Sequence, residues 1–180
     1  MAGRKYASDY RLESHVSPEG KVESIPVYQG KLFTFVESPD QILRLRRFLT
    51  VCVSLIVLLL VPMLLDNTRL GRTIYIVLPA VFSFLPIYLL VAGIRRLKSR
   101  EEPFTREHRD KTDKRISSGS VVLTVCLAIS SIGCVIHFIL NGIAANEILC
   151  TVSLFAALAV SILILRWRNV ARTKEVSTGN

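Results

Sequence analysis

The chain has 180 residues, 51% of them hydrophobic, and 23 Lys and Arg against 14 Asp and Glu give it a formal net charge of +9. Spread over a soluble domain, that excess of base would suit nucleic acid. Here charge and apolarity are instead sorted into separate blocks, which excludes an ordinary soluble domain and argues against a nucleic-acid partner.

Residues 1–37 are polar and strand-like. Tyr10–Val16 alternates with period two, Ser17, Pro18, Glu19 and Gly20 signal a turn, and Val22–Tyr28 forms a second run in which Pro26 points to an edge strand. Lys31–Val36 is rich in β-formers. Two or three short antiparallel strands are predicted. So few residues cannot bury a core alone, so the segment is expected to dock on another chain, the central loop or lipid headgroups. Ser38, Pro39 and Asp40 then supply an N-cap, a first-turn proline and an acid for the helix dipole. They open a juxtamembrane helix over 38–47, in which Arg44, Arg46 and Arg47 mark a headgroup boundary.

Four apolar blocks follow: Phe48–Leu65, Ile74–Ile94, Ser117–Leu140 and Ile148–Leu165, each at least eighteen residues long and free of Asp, Glu, Lys and Arg. At the helical rise the shortest reaches about 27 Å, most of a hydrocarbon core. All four are predicted to be transmembrane helices, making residues 48–165 one membrane domain. The first begins behind too long a polar segment to be a cleavable signal peptide. Short connections at 66–73 and 141–147 predict two antiparallel hairpins. The second block carries Pro79 and Pro86, whose freed carbonyls a membrane helix satisfies through its neighbours.

Charge asymmetry orients these spans. Eight basic residues precede residue 48, nine lie between Arg95 and Arg115, and four follow Leu165, leaving only Arg69 and Arg72 for the other side. The N-terminal segment, the basic loop 95–116 and the tail 166–180 are therefore expected in the cytoplasm. Arg44, Arg46, Arg47, Arg95, Arg96, Lys114, Arg115, Arg166 and Arg168 are the expected anchors for anionic headgroups.

The run Glu107–Arg115, EHRDKTDKR, is the most charged in the chain. Thr105 can cap a helix starting at Arg106, and Glu107/Lys111 and Asp110/Lys114 are favourable i,i+4 pairs, so a solvated helical turn or two leading into the third span is predicted. His108, Arg109 and Asp110 match three letters of a kinase catalytic loop, but no glycine-rich nucleotide loop, partner lysine or Asp-Phe-Gly accompanies them. Alanine at His108 or Asp110 is expected to leave the fold near wild type. Cys52, Cys126, Cys134 and Cys150 all sit in apolar blocks without metal-ligand spacing and are read as packing residues.

Small and polar residues recur on the last two spans: Ser130, Gly133 and His137 on the third, Ser153, Ala157 and Ser161 on the fourth. Their three- and four-residue steps predict close helix packing, with Gly133 facing the Ser153–Ala157–Ser161 stripe. Asp66 and Glu147 flank the ends of spans, and with His137 they make a metal or proton site conceivable if the hairpins converge. The weight of these features is against an enzyme and against any cofactor.

The sequence thus predicts an all-α integral membrane protein with a small β-containing cytoplasmic segment and both termini cytoplasmic. The expected role is a non-catalytic accessory or scaffold component that binds proteins through its cytoplasmic face; the alternative is a small homo-oligomeric channel or transporter. Compactness and the lack of any Asn-x-Ser/Thr sequon suggest a bacterial inner membrane.

Overall fold

The computed structural model describes residues 6, 9–16, 22–35, 38–65, 68–97, 104–142, 144–167 and 173–176. Asp66, Arg168 and the Ser17–Gly20 turn lie outside the described residues.

Two strands, β1 (Tyr10–Val16) and β2 (Val22–Tyr28), pair antiparallel from Tyr10 opposite Tyr28 to Val16 opposite Val22. Pro26 sits opposite Leu12 in this ribbon. A two-stranded ribbon leaves both outer edges unpaired, which is where a strand tolerates proline. The third strand, β3 (Leu32–Phe35), turns away from the ribbon and is the centre of a second sheet.

Helix α1 (Pro39–Leu65) runs from its cap through the first apolar block without a break. Its start is a capping box: the Gln41 N–H donates to Ser38 Oγ at 3.4 Å, and the Ser38 N–H donates to Gln41 Oε1 at 3.3 Å. A 3₁₀ turn at Leu70–Arg72 leads into α2 (Ile74–Phe82) and α3 (Phe84–Arg96). These two make one apolar rod interrupted at Ser83. Pro86 has no N–H to offer the fourth carbonyl before it, and its ring crowds that turn. The buried Ser83 hydroxyl donates to the Ala80 carbonyl, while its N–H is shared between Pro79 and Ala80.

A two-residue strand, β4 (Phe104–Thr105), precedes α4 (Arg106–Asn141), which the Thr105 side chain caps by accepting the His108 N–H. The charged run and the third apolar block are thus a single helix. It stops at Gly142, whose φ of 76° suits a residue without Cβ and whose N–H donates to the Phe138 carbonyl. A 3₁₀ turn at Ala145–Glu147 starts α5 (Ile148–Trp167), and β5 (Thr173–Val176) follows.

The sheet order is β4–β3–β5, both pairs antiparallel, with Leu32 between Thr105 and Val176 and Phe33 between Phe104 and Glu175. Each strand comes from a different segment: the N-terminal region, the connection before α4, and the tail. All three segments therefore meet at one end of the helices, the sheet end; the connections after α1 and α4 form the opposite, loop end. Neither β4 nor β5 was expected, because two residues in one case and a single alternation in the other give no local strand signal.

Four helices are long and apolar enough to cross a membrane: Pro39–Leu65, Ile74–Arg96, Arg106–Asn141 and Ala145–Trp167. Only about a third of their most apolar stretches is buried inside the protein. Leu58, Leu85, Ile139 and Leu149 are among many large apolar side chains that face outward. An exterior this apolar suits lipid and not water.

Of the two expected hairpins, α4 with α5 packs closely and α1 with the α2–α3 rod does not. α4 lies along α2 and α3, α5 lies along both α1 and α4, and α1 meets α3 only sparsely. The closest seam is between α4 and the α2–α3 rod, and glycine makes it. A Cβ on Gly119 would stand 3.2 Å from the Pro86 carbonyl oxygen, and one on Gly133 would stand 3.1 Å from Ile76 and 3.3 Å from the Tyr75 carbonyl oxygen. Ser130 donates to the Ile76 carbonyl across the same seam at 3.0 Å.

The expectation that Gly133 faces the Ser153–Ala157–Ser161 stripe is therefore corrected. Spacing identified a close-packing face on α4 but not which of two flanking helices it meets. The three stripe residues are buried on the face of α5 that begins with Cys150, and the Cys150 thiol lies 3.6 Å from the Pro62 carbonyl of α1. Cys52 and Cys134 are likewise buried and Cys126 is partly so, and all four cysteines are free.

Gly133→Leu should drive a large side chain into Tyr75 and Ile76 and destabilise the bundle by about 1–3 kcal/mol. Leu140→Ala, on an outward face, should cost much less. Melting temperatures in detergent compare the two directly.

Candidate functional site

Polar chemistry gathers at the two ends of the bundle. At the loop end, His137 is 3% and Glu147 2% exposed, and their Nε2 and Oε1 atoms lie 3.7 Å apart. His137 is placed by α4, one turn before its glycine stop, and Glu147 by the 3₁₀ turn that starts α5. Asn141 Nδ2 lies 3.2 Å from the His137 carbonyl and 3.4 Å from the His137 ring Nδ1. Thr73, at the N-terminus of α2, places its hydroxyl 3.4 Å from the same Nδ1 while donating to the Arg69 carbonyl.

These distances constrain the proton. With its own hydrogen committed to Arg69, the Thr73 oxygen accepts from Nδ1–H, which leaves Nε2 of a neutral ring facing a carboxylate. If Asn141 donates to Nδ1 instead, the ring proton sits on Nε2 and points at Glu147. In both cases attraction between His137 and Glu147 requires a proton in the gap. Nε2 has no hydrogen-bond partner among the described residues. A cavity of about 360 Å3 lies beside the pair, walled also by Arg69, Asn141 and Asn146.

The sequence brought His137, Asp66 and Glu147 forward as one group conditional on the hairpins converging, and the structure places His137 and Glu147 side by side. Asp66, the third suggested member, lies outside the described residues. Among the described residues no group of three or more His, Cys, Asp or Glu is arranged to hold a metal. The Thr151 hydroxyl, 3.6 Å from the Cys134 thiol, donates to the Glu147 carbonyl, extending the polar contacts down the α4–α5 seam. What this arrangement does chemically is pin the starts of α2 and α5 to the end of α4.

At the sheet end, the charged run of α4 is not simply solvated. Arg109 lies 4.7 Å over the ring of buried Phe33 in β3, a cation–π contact, and Tyr6 donates to Asp110 Oδ2 at 3.0 Å. The His108 Nε2–H donates to the Arg96 carbonyl at 3.0 Å, tying α4 to the end of α3, and the His108 ring meets Phe104 edge-on. The Arg106 N–H donates to the Tyr28 hydroxyl, which itself donates to the Lys31 carbonyl. Lys111 pairs with Glu107, and Arg109 Nε lies 3.8 Å from Asp113. Desolvation pushes the Asp113 carboxyl above the usual carboxylate range, with Arg109 opposing and Asp110 adding to it.

Periodicity alone marked this run as a solvated surface, because Tyr6, Tyr28 and Phe33 come from the distant N-terminal region and Arg96 from the end of the preceding helix. The anchors Arg44, Arg46, Arg47, Arg95, Lys114 and Arg166 are exposed and Arg96 and Arg115 half-buried, all towards the sheet end. Trp167 packs against Phe48 at the same level, with ring centroids 5.6 Å apart.

The chain matches no protein-family model, no curated protein and no solved structure.

Two outcomes follow from these contacts. Glu147→Leu should destabilise the protein by about 1–3 kcal/mol by stripping the buried His137 of its counterpart. Adding His137→Leu should recover part of that loss, whereas additive losses in the double-mutant cycle would show that the pair does not interact. Asp110→Ala and His108→Ala should each cost about 0.5–1.5 kcal/mol, measured as urea-induced loss of sheet-end packing by Tyr and Trp fluorescence.

Proposed function

We propose that the protein is an integral membrane component without catalytic activity, and that it binds a protein partner through its sheet end. The observation that carries this is the β1–β2 ribbon. It stands outside the three-stranded sheet and presents Leu12, 71% exposed, and exposed Tyr10 on one face, with exposed Val27, opposite Arg11, on the other. Its two strands carry one arginine, Arg11, against Glu13 and Glu23. In a chain of net charge +9 this is the part least suited to anionic headgroups. Open strand edges beside apolar side chains are what a protein partner takes up, by adding a strand or covering the patch. Beneath the ribbon, strands from three segments hold the helix ends in a fixed arrangement, as a docking platform requires.

The distribution of basic residues supports placing this end in the cytoplasm, and the lack of sequons and the small size favour a bacterial inner membrane. The channel alternative draws less support. The most buried titratable pair lies at the loop end, and seam hydroxyls such as Ser130 are spent on carbonyls rather than turned to a pore.

Topology is tested with single cysteines in a background lacking the native four. Ala145→Cys should react with impermeant reagent on intact cells and Asp113→Cys only after lysis; the reverse pattern defeats the orientation. For docking, a photo-crosslinker at Tyr10, which shares a strand face with Leu12, should yield one adduct of defined mass and one at Asn146 none. Leu12→Glu should abolish that adduct without changing the melting temperature. A pure homo-oligomer that carries ion flux in liposomes would favour the channel instead.

A further inference from the structure

α1 and α3 pack sparsely, and at the sheet end they part to leave a groove of about 300 Å3. Arg46, Thr50 and Ser54 lie at four-residue steps along one stripe of α1 and form one wall; Val91, Ile94 and Arg95 of α3 form the other. Both arginines are exposed, and among the described residues no acidic side chain lines the groove. We propose that this groove is a binding site for one anionic phospholipid, its phosphate held between the Arg46 and Arg95 guanidiniums.

The chemistry matches at each level. Guanidinium forks bind phosphate oxygens in pairs, and two facing forks without a carboxylate between them leave net positive charge for an anion to neutralise. Thr50 carries a hydroxyl one turn further along the helix, about 6 Å from Arg46 and at the depth of a lipid's glycerol and ester groups, and small Ser54, a second turn on, leaves room where the acyl chains begin. The Thr50 hydroxyl donates to the Arg46 carbonyl, so towards the groove it offers an acceptor. Val91 and Ile94 are an apolar wall for acyl chains, which free phosphate would not use. The looseness of the α1–α3 contact follows naturally if a lipid completes it. Arg44 and Arg47 occupy the same turns of α1 but do not line the groove, which separates a site from a general attraction of basic residues to the surface.

The proposal rests on these helices lying in a bilayer and is independent of the docking ribbon. The test uses the full chain in a neutral detergent, with retention of phosphatidylglycerol or phosphatidylcholine read by native mass spectrometry. Wild type should hold one phosphatidylglycerol per chain in preference to phosphatidylcholine. Arg46→Gln with Arg95→Gln should weaken retention about tenfold or more, whereas Arg44→Gln with Arg47→Gln, removing equal charge, should change it about twofold or less. Arg46→Lys with Arg95→Lys should fall between, because the charge stays and the fork is lost. Ser54→Trp should also weaken retention by filling the groove with no change of charge. Equal losses in the two glutamine pairs would overturn the site, as would equal retention of the neutral lipid. Inorganic phosphate displacing a short-chain phosphatidylglycerol at matched concentration would show an anion site that makes no use of the lipid, which also overturns the proposal. Unchanged melting temperatures in the glutamine variants separate lost binding from lost fold.

Discussion

Helices that are apolar outside as well as inside cannot be held together by the hydrophobic effect once they lie in lipid, so close approach of backbones must do it. Everything else in this bundle is arranged around the seam where that approach is tightest. Gly119 admits the Pro86 carbonyl, Gly133 admits Tyr75 and Ile76, and Ser130 adds a hydrogen bond across the same line. α4, longest of the helices, thereby becomes the post against which the α2–α3 rod and α5 both stand. α1 joins through α5, and the groove it leaves beside α3 is a direct result of that order.

The same scarcity of water governs the polar groups. Hydroxyls along the helices return to carbonyls of their own turn, as Ser131 does to Leu127, Thr124 to Ser120 and Ser161 to Leu158. Such groups bring no unsatisfied hydrogen into the apolar zone. The less economical arrangements are confined to the ends. Within the helical part, Ser130 reaches across to the Ile76 carbonyl, and at the Ser83 interruption the side chain and N–H converge on the carbonyls just before it. At the loop end His137 and Glu147 are both buried, with Nε2 and Oε1 3.7 Å apart.

What could be read in the residues was what depends on neighbours in the chain. Four apolar lengths gave four helices, Ser38 and Thr105 gave their caps, and Tyr10–Val16 with Val22–Tyr28 gave a ribbon. What stayed hidden depended on distant partners. Thr173–Val176 is a strand only because β3 offers it an edge, and Gly133 looks the same in sequence whichever helix it meets. His137 was visible as an oddity at the end of a span. Its pairing with Glu147 follows from how tightly Gly142 and the turn at Ala145–Glu147 fold α5 back, a matter of geometry rather than composition. Asp110 was legible as a member of a surface pair and His108 as part of a charged run, neither as an attachment point, because Tyr6 and Arg96 reach them through the tertiary fold.

The β4–β3–β5 sheet also sets an order of events. β3 is synthesised before any of the apolar helices, β4 only after the second of them, and β5 after the fourth. During synthesis β3 therefore waits with first both edges bare and then one. Its last edge is covered only when all the helices have been made and the tail has returned to the sheet end. A chain stalled or misfolded at any earlier stage keeps an open strand edge, the feature that makes incomplete proteins stick to one another and to chaperones. Closure of this small sheet is thus a seal that only a completely assembled chain can apply to itself.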